Sequence, residues 1–370
     1  MRPRDSVIQD TLTLTDSETK VIDINVNRPI TAIQVMYRAQ NGSTSNLSNW
    51  LHENISKIEL VDGSEVLFSL SAEQCQGLAF YGHNVVPRNY LREDPGQNQY
   101  SDCWMVFGRY LYDQIYALDP SKHTNPQLKL THNLATIRAV DVDGFTTNTC
   151  AIRVVAKLME DAPAPLGFLM SKEHYNYDTG SSSLRKYLDL PNDHPYRMLG
   201  ARVHVENKSG HQVMQEIKLN IDQESYIPFD LTGSDLAQLG LALRGNAQAG
   251  YLLYAKHNTT HDLILYDGGR HGMALTGGTN PVLYTPHGGG NRVTVSAWDC
   301  SADANYATYA SLFLEHRGVC FQDLMVYPFG RIDEPADWLD VSGFGSIRLE
   351  ALTEGWSAAA SIILQQLKMY

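Results

Sequence analysis

Residues Ile217 to Leu243 read as strand, turn, strand and capped helix, and the chain has already spelled that unit once, at Ile58 to Gly82. In the later copy Ile217 and Leu219 alternate, a turn follows at Asp222 to Ser225, Ile227, Phe229 and Leu231 alternate, and Thr232 precedes helical spacing at Leu236, Leu239 and Leu243. The earlier copy fills the same slots with Ile58 and Leu60, Asp62-Gly63, Val66, Phe68 and Leu70, Ser71, then Cys75 and Leu78. Six slots, from 227 − 66 to 239 − 78, share one offset of 161. An offset that holds through strand, cap and helix calls for two copies of one fold in tandem.

Further echoes extend the duplication. Ile30, Val35 and Gly42 match Met198, Val203 and Gly210 at an offset of 168, which falls to 159 at Ile58 and Ile217, so the first copy carries about nine extra residues within Ser43 to Asn54. Phe107-Gly108-Arg109 recurs as Phe329-Gly330-Arg331 and Leu118-Asp119 as Leu339-Asp340, at 222 and 221, so the second copy holds about sixty extra residues within 246–327. Ile152 and Met159 match Ile362 and Met369 at 210. For the strand before them two registers stay open, Ile137-Arg138 with Ile347-Arg348, or Lys129-Leu130 with Arg348-Leu349.

The chain divides on this reading into an N-terminal arm 1–16, a first domain 17–160, a linker 161–183 and a second domain 184–370. The two prolines of Glu160 to Pro165 give the linker a stiff, extended path. At 370 residues the chain exceeds what one core usually serves, which agrees with two domains. Each copy offers about eight strands, sandwich-like turn spacing and one evident helix, a capping box at Ser71 to Gln74 and a weaker one at Thr232 to Asp235. The helices have narrow apolar stripes and are expected to lie across the end or flank of a sheet. The fold class is all-β, two tandem eight-stranded antiparallel sandwiches.

A formal charge of −12 excludes a direct, sequence-specific nucleic-acid binder, since neutralising phosphates needs clustered Lys and Arg. Arg2 and Arg4 form the one basic cluster at an end, a candidate contact point. Five cysteines at irregular spacings, with no C-x-x-C, give neither a disulfide framework nor a zinc site. The start lacks an apolar signal region, and no apolar run approaches the ~18–20 residues that span a bilayer, so synthesis in a cytoplasm is expected.

The chain shows no catalytic constellation and no cofactor or metal site. The glycines of 266–272 and 287–290 are not followed by Lys-Ser/Thr as a P-loop requires, and read as turns in a surface loop. His257 and His261 flank turn-forming residues and no carboxylate completes a metal triad nearby, and Asp141 to Gly144 has no glutamate at the twelfth loop position that calcium needs. Gly-x-Ser-x-Gly is absent, and so is the His-x-His that a double-cupin enzyme would present.

Two tandem eight-strand sandwiches, unequal loops, an insertion in one copy, a short arm and no chemistry resemble the double jelly-roll major capsid proteins of tailless icosahedral viruses with an internal membrane, above all the bacteriophage members of that hexon-like lineage. The resemblance covers Asp16 to Tyr370 and rests on architecture, the repeated unit and the Phe-Gly-Arg echo. It implies a structural virion protein and not an enzyme. The implied partners are two further copies in a homotrimeric, pseudo-hexagonal capsomer, neighbouring capsomers and vertex or minor proteins. It also implies strands upright to the shell, termini inward and peripheral contact of Arg2 and Arg4 with an internal viral membrane. The alternative is a carbohydrate-binding or adhesin-type sandwich, in which loop aromatics such as Trp50 or Tyr284 would stack on sugars.

Overall fold

The computed structural model describes residues 2–42, 50–90, 96–134, 144–205, 208–245 and 319–370, together with the backbone of six strands between 247 and 318. In chain order the first half forms β1 (Arg2–Thr13), β2 (Ser17–Asp23), β3 (Ile30–Gln40), β4 (Ile55–Asp62), β5 (Glu65–Leu70), helix α1 (Ala72–His83), a two-residue β6 (Asn89–Tyr90), β7 (Asn98–Val106), β8 (Pro126–Asn133) and β9 (Ala151–Glu160). The second half repeats the series as β10 (Gly167–Asp178), β11 (Leu184–Asp189), β12 (Tyr196–Val203), the single turn α2 (Gly210–Val213), β13 (Met214–Ile221), β14 (Tyr226–Thr232) and α3 (Gly233–Arg244). After the insertion come β21 (Leu324–Pro328), β22 (Ile347–Thr353) and β23 (Ala359–Met369).

Each half folds as two facing sheets. The first has β1-β9-β3-β7-β6 against β2-β8-β4-β5, and the second has β10-β23-β12-β21 against β11-β22-β13-β14. Apart from the two-residue β6, the strand order is the same in both, and it is that of a jelly roll. Period-two alternation places Ile33, Val35, Tyr37, Leu60, Phe68 and Val154 in the first core and Ala201, Leu219, Phe229, Leu349 and Ile362 in the second. The 161 offset holds in three dimensions. Phe68 pairs across to Leu60 as Phe229 does to Leu219, and α1 and α3 both start one residue after the N-cap of a capping box.

Residues 2–13 are not an arm but a strand, paired antiparallel with β9 from Arg2↔Glu160 to Thr13↔Ala151. The apolar β9 is buried along most of its length, and without β1 its outer row of backbone groups would lack partners. The stretch 161–183 is likewise mostly strand. Strand β10 pairs with β23 over Gly167↔Met369 to Asp178↔Ala359. It is the counterpart of β1 down to its bulge, at Glu173/Tyr175 in one and Val7/Gln9 in the other. Its outer half, half-exposed or exposed from Lys172 to Asp178, carries the polar residues that read as a linker.

Three registers are also corrected, each by two residues. Ile30 bridges Leu118 as Tyr196 bridges Leu339, so β3 and β12 align at 196 − 30 = 166 and not at 168. Through Ile30↔Leu158 and Tyr196↔Gln366 the last strands align at 366 − 158 = 208 and not at 210. Leu60↔Leu128 and Leu219↔Leu349 align β8 with β22 at 349 − 128 = 221, two from the Lys129 register, while Ile137-Arg138 lies outside the described residues. The fall from 166 to 159 leaves seven extra residues before β4 in place of nine.

An insertion with no counterpart in the first half lies between α3 and β21. It forms two antiparallel three-stranded sheets, β15 (Ala247–Lys256), β20 (Tyr309–Gly318) and β17 (Gly269–Ala274) in one, β16 (Thr259–Ile264), β19 (Arg292–Asp299) and β18 (Val282–His287) in the other. Gly269 to Gly272 and His261, expected in loops, are therefore strand residues. His257, Gly288 to Gly290 and Asp141 to Asp143 lie outside the described residues.

Candidate assembly surface

The two rolls meet through a strand contact and a helix. Strands β5 and β10 run parallel at Phe68↔Ser171 and Ser69↔Lys172, which joins β2-β8-β4-β5 to β10-β23-β12-β21 as one eight-stranded sheet. Beside this seam the flanking helix α1 is buried from Ala72 to Gly82, well beyond a narrow stripe. One side packs on its own roll, where Cys75 and Leu78 point into the core. The other side presses on the second roll, whose outward residues Met198, Leu324, Val326 and Ile363 join the first roll's core. A Cβ at Gly77 would stand 2.9 Å from Leu324 Cδ2, which shows how closely the helix sits.

Polar groups of α1 buried by this packing take partners across the seam, as burial requires. Glu73 meets Arg202 at 3.3 Å, Gln74 donates to Ser361 Oγ at 2.9 Å and to Glu173, and Gln322 Nε2 donates to Gln76 Oε1 at 2.6 Å. Phe80 stacks on Phe321 with centroids 5.0 Å apart, and Phe321 N donates to Tyr81 Oη at 3.0 Å.

At the helix C-terminus, where carbonyls lack helical partners and the dipole favours cations, two arginines of the second roll converge. Arg244 donates to Tyr81 O at 2.6 Å and Gly82 O at 3.0 Å. Arg197, with no exposure at all, donates to Gly82 O and Ile332 O, each at 2.9 Å, and to Gln365. Burial lowers the Arg197 pKa to about 9, well above neutral, so the guanidinium stays charged. Burial, reinforced by Arg197, pushes His83 well below its usual pKa. The ring is therefore neutral, and its Nδ1, 3.2 Å from Arg109 O, is the donor.

The matching parts of α3, β14 and β1 are largely bare. Helix α3 has the length of α1, yet Ser234, Asp235, Gln238 and Ala242 are exposed where Glu73, Gln74, Gly77 and Tyr81 are covered. Strand β14, counterpart of β5, is an edge with Tyr226 47% and Ile227 39% exposed. Strand β1, counterpart of β10, is the other edge. The register also orders the two ends of the rolls. Arg2 pairs near the end of β9 and Gly167 near the end of β23, so residue 2 and residue 369 share one end. Strand β21 is entered from the insertion at Leu324, level with Arg202 and Ser361, at the opposite end of β23.

No protein-family model matches the chain, and no curated protein matches its sequence. Solved structures match it over nearly its whole length. The STIV MCP, of the Sulfolobus Turreted Icosahedral Virus, aligns with a TM-score of 0.60 at 12% identity, covering 99% of this chain and 96% of that one. The major capsid protein P2 from bacteriophage PM2 aligns with 0.54 at 9% identity, covering 100% and 98%. PBCV-1 VP54 aligns with 0.57 at 11% identity, covering 99% and 94%. The chain is a double jelly roll.

Within the double jelly roll the sequence echoes turn out to be structural anchors. Phe107 N donates to Thr31 O and Phe329 N to Arg197 O, at 2.9 and 3.0 Å, which closes each roll at the same place. Arg109 holds Asp113 through Nε and Nη2 at 2.7 and 2.9 Å, and Arg331 holds Asp337 likewise. Asp119 and Asp340 each accept from the backbone and hydroxyl of a serine two residues on, a shared Asp-x-Ser turn that was readable in the sequence.

Arg2 and Arg4 stand on β1 and pair with Asp161 at 3.3 Å and Glu160 at 2.8 Å. The hydrogen bond from Arg4 is the main cause that holds the Glu160 carboxyl below its ordinary pKa. Trp50, suggested as a sugar-stacking residue, is 2% exposed and packs in the interior beside His52. The Tyr284 side chain lies outside the described residues. Among the described residues no three His, Cys, Asp or Glu side chains converge.

Proposed function

We propose that this double jelly roll is a major capsid protein, a structural subunit of an icosahedral virus shell, and that its working unit is a homotrimer. One observation carries the reading. The seam inside the chain joins a β5-type edge to a β10-type edge, and among the described residues one unpaired edge of each type remains, β14 and β1. A head-to-tail contact of this kind closes into a ring when the rotation per copy divides a full turn. Three copies then place six similar rolls around one axis. The solved structures with this fold include proteins named as major capsid proteins, which supports the same role here.

In such a shell the shared end of residues 2 and 369 faces inward and the insertion outward, an orientation supported by their opposite positions along β23. Arg2, 84% exposed at its side chain, and Arg4 then stand on the inner face, able to meet lipid phosphates or an acidic minor protein. Neighbouring capsomers and vertex proteins are the other partners, and the virion is the location. Sedimentation equilibrium of the purified protein is expected to give one species of three times the 41.3 kDa chain mass. A monomer that persists at every concentration up to the solubility limit would contradict the reading.

A further inference from the structure

The first roll carries a groove of about 180 Å³ on the outer face of its β1-β9-β3-β7 sheet, lined among others by Gln34, Met36, Arg38, Tyr100, Asp102 and Arg153. Strand pairing identifies the same positions in the second roll. Met36 pairs with Asp102 and Arg153 as Arg202 pairs with Leu324 and Ser361. Those three are residues on which α1 sits, through Glu73 on Arg202, Gln74 on Ser361 and Gly77 against Leu324. In the second roll this seat is therefore filled by a helix of the same chain, and in the first roll it is an open groove among the described residues.

We infer that the groove of the first roll is the seat for α3 of a second copy of this chain. The inference rests on the capsomer reading and specifies the contact that builds it. Helix α3 is the counterpart of α1 at a constant offset of 161, with the same capping box, and its seat-facing residues are uncovered. Translating the α1 contacts sets Ser234 against Met36, Asp235 against Arg153 and Gln238 against Asp102. The middle pair replaces a neutral Gln–Ser hydrogen bond by opposite charges. The exposed carboxylate of Asp235, at the first turn of α3, meets a guanidinium whose present partner is the exposed Asp10 at 3.5 Å. The translated strand contact sets Phe229 of one copy beside Asp5 of the next, as Phe68 stands beside Ser171. The first roll's own α3 is committed elsewhere, since Leu236 and Ala237 pack in the second core and Arg244 binds the end of α1. The occupant must come from another copy, and the contact is heterologous, which a ring requires.

Cysteines placed at Ser234 and Met36, with Cys300 replaced by Ser so that the remaining native thiols are the buried Cys75, Cys103, Cys150 and Cys320, test the seat. Mild oxidation of S234C/M36C is expected to convert most chains to covalent dimers and trimers on a denaturing gel, while either single variant stays monomeric. A protein that sediments as a trimer yet gives no cross-link overturns the seat and leaves the capsomer reading standing. A protein that sediments as a monomer overturns both. As a second measurement on a surface side chain, Arg153→Glu is expected to raise the concentration at which the trimer dissociates at least tenfold with the monomer folded. An unchanged dissociation concentration would also overturn the seat.

Discussion

Phe68→Asp is expected to abolish folding of the first roll, and Phe229→Asp that of the second. Phe68 is 2% exposed on β5, and Phe229 is 5% exposed on β14 with the Tyr327 ring 4.2 Å away. Each faces the gap between two sheets, among apolar core side chains. An unpaired charge there costs several kcal/mol even after its pKa rises, against a total stability of roughly 5–15 kcal/mol for a domain. Phe68→Asp is the more damaging of the two, since β5 is paired on both sides while β14 is an edge with a shorter path to water. Soluble expression with circular dichroism checks both. A folded, soluble Phe68→Asp protein would break the equivalence of the two cores.

Arg197→Met keeps the length of the side chain and removes its donors. Ile332 O and Gln365 lose their charged partner inside the seam, while Gly82 O keeps Arg244. An orphaned buried acceptor costs about 1–3 kcal/mol, and breaking a buried charged network roughly 3–5 kcal/mol. The expected result is a fall of that order in unfolding free energy by denaturant titration, with faster proteolysis near Gly82. Arg197→Lys is not expected to rescue it, because one ammonium cannot reach carbonyls spread around a planar guanidinium. Stability within about 1 kcal/mol of the parent would show that the seam does not depend on this residue.

What the residues disclosed and what they concealed follow from the period of a strand. Alternation reports which face a side chain takes, and a slip of two residues changes no face. The corrections at β3/β12, β8/β22 and β9/β23 are all slips of two. The unit from Ile58 to Leu78 escaped this ambiguity because a turn and a capping box punctuate it, and Ser71 and Thr232 fix the phase of everything between. Strands β1 and β10 were missed for another reason. Each is polar over much of its length, and its place in the fold comes from the unpaired edge of a strand about 150 to 190 residues later in the chain, an obligation that no local pattern announces. The seam was equally hidden. Glu73 and Gln74 look like the solvent face of a short helix, and the second roll gives them buried partners in Arg202, Glu173 and Ser361. The large insertion was legible because it interrupts an otherwise constant offset.

The most direct test of the account is an image of the assembled unit. Negative-stain class averages of the purified protein are predicted to show a near-hexagonal ring of six similar densities around one axis, with three of the six carrying extra mass from the insertion. Averages showing separate two-lobed particles, or rings whose lobes do not group into three pairs, would contradict the claim that the seam within one chain is repeated between chains.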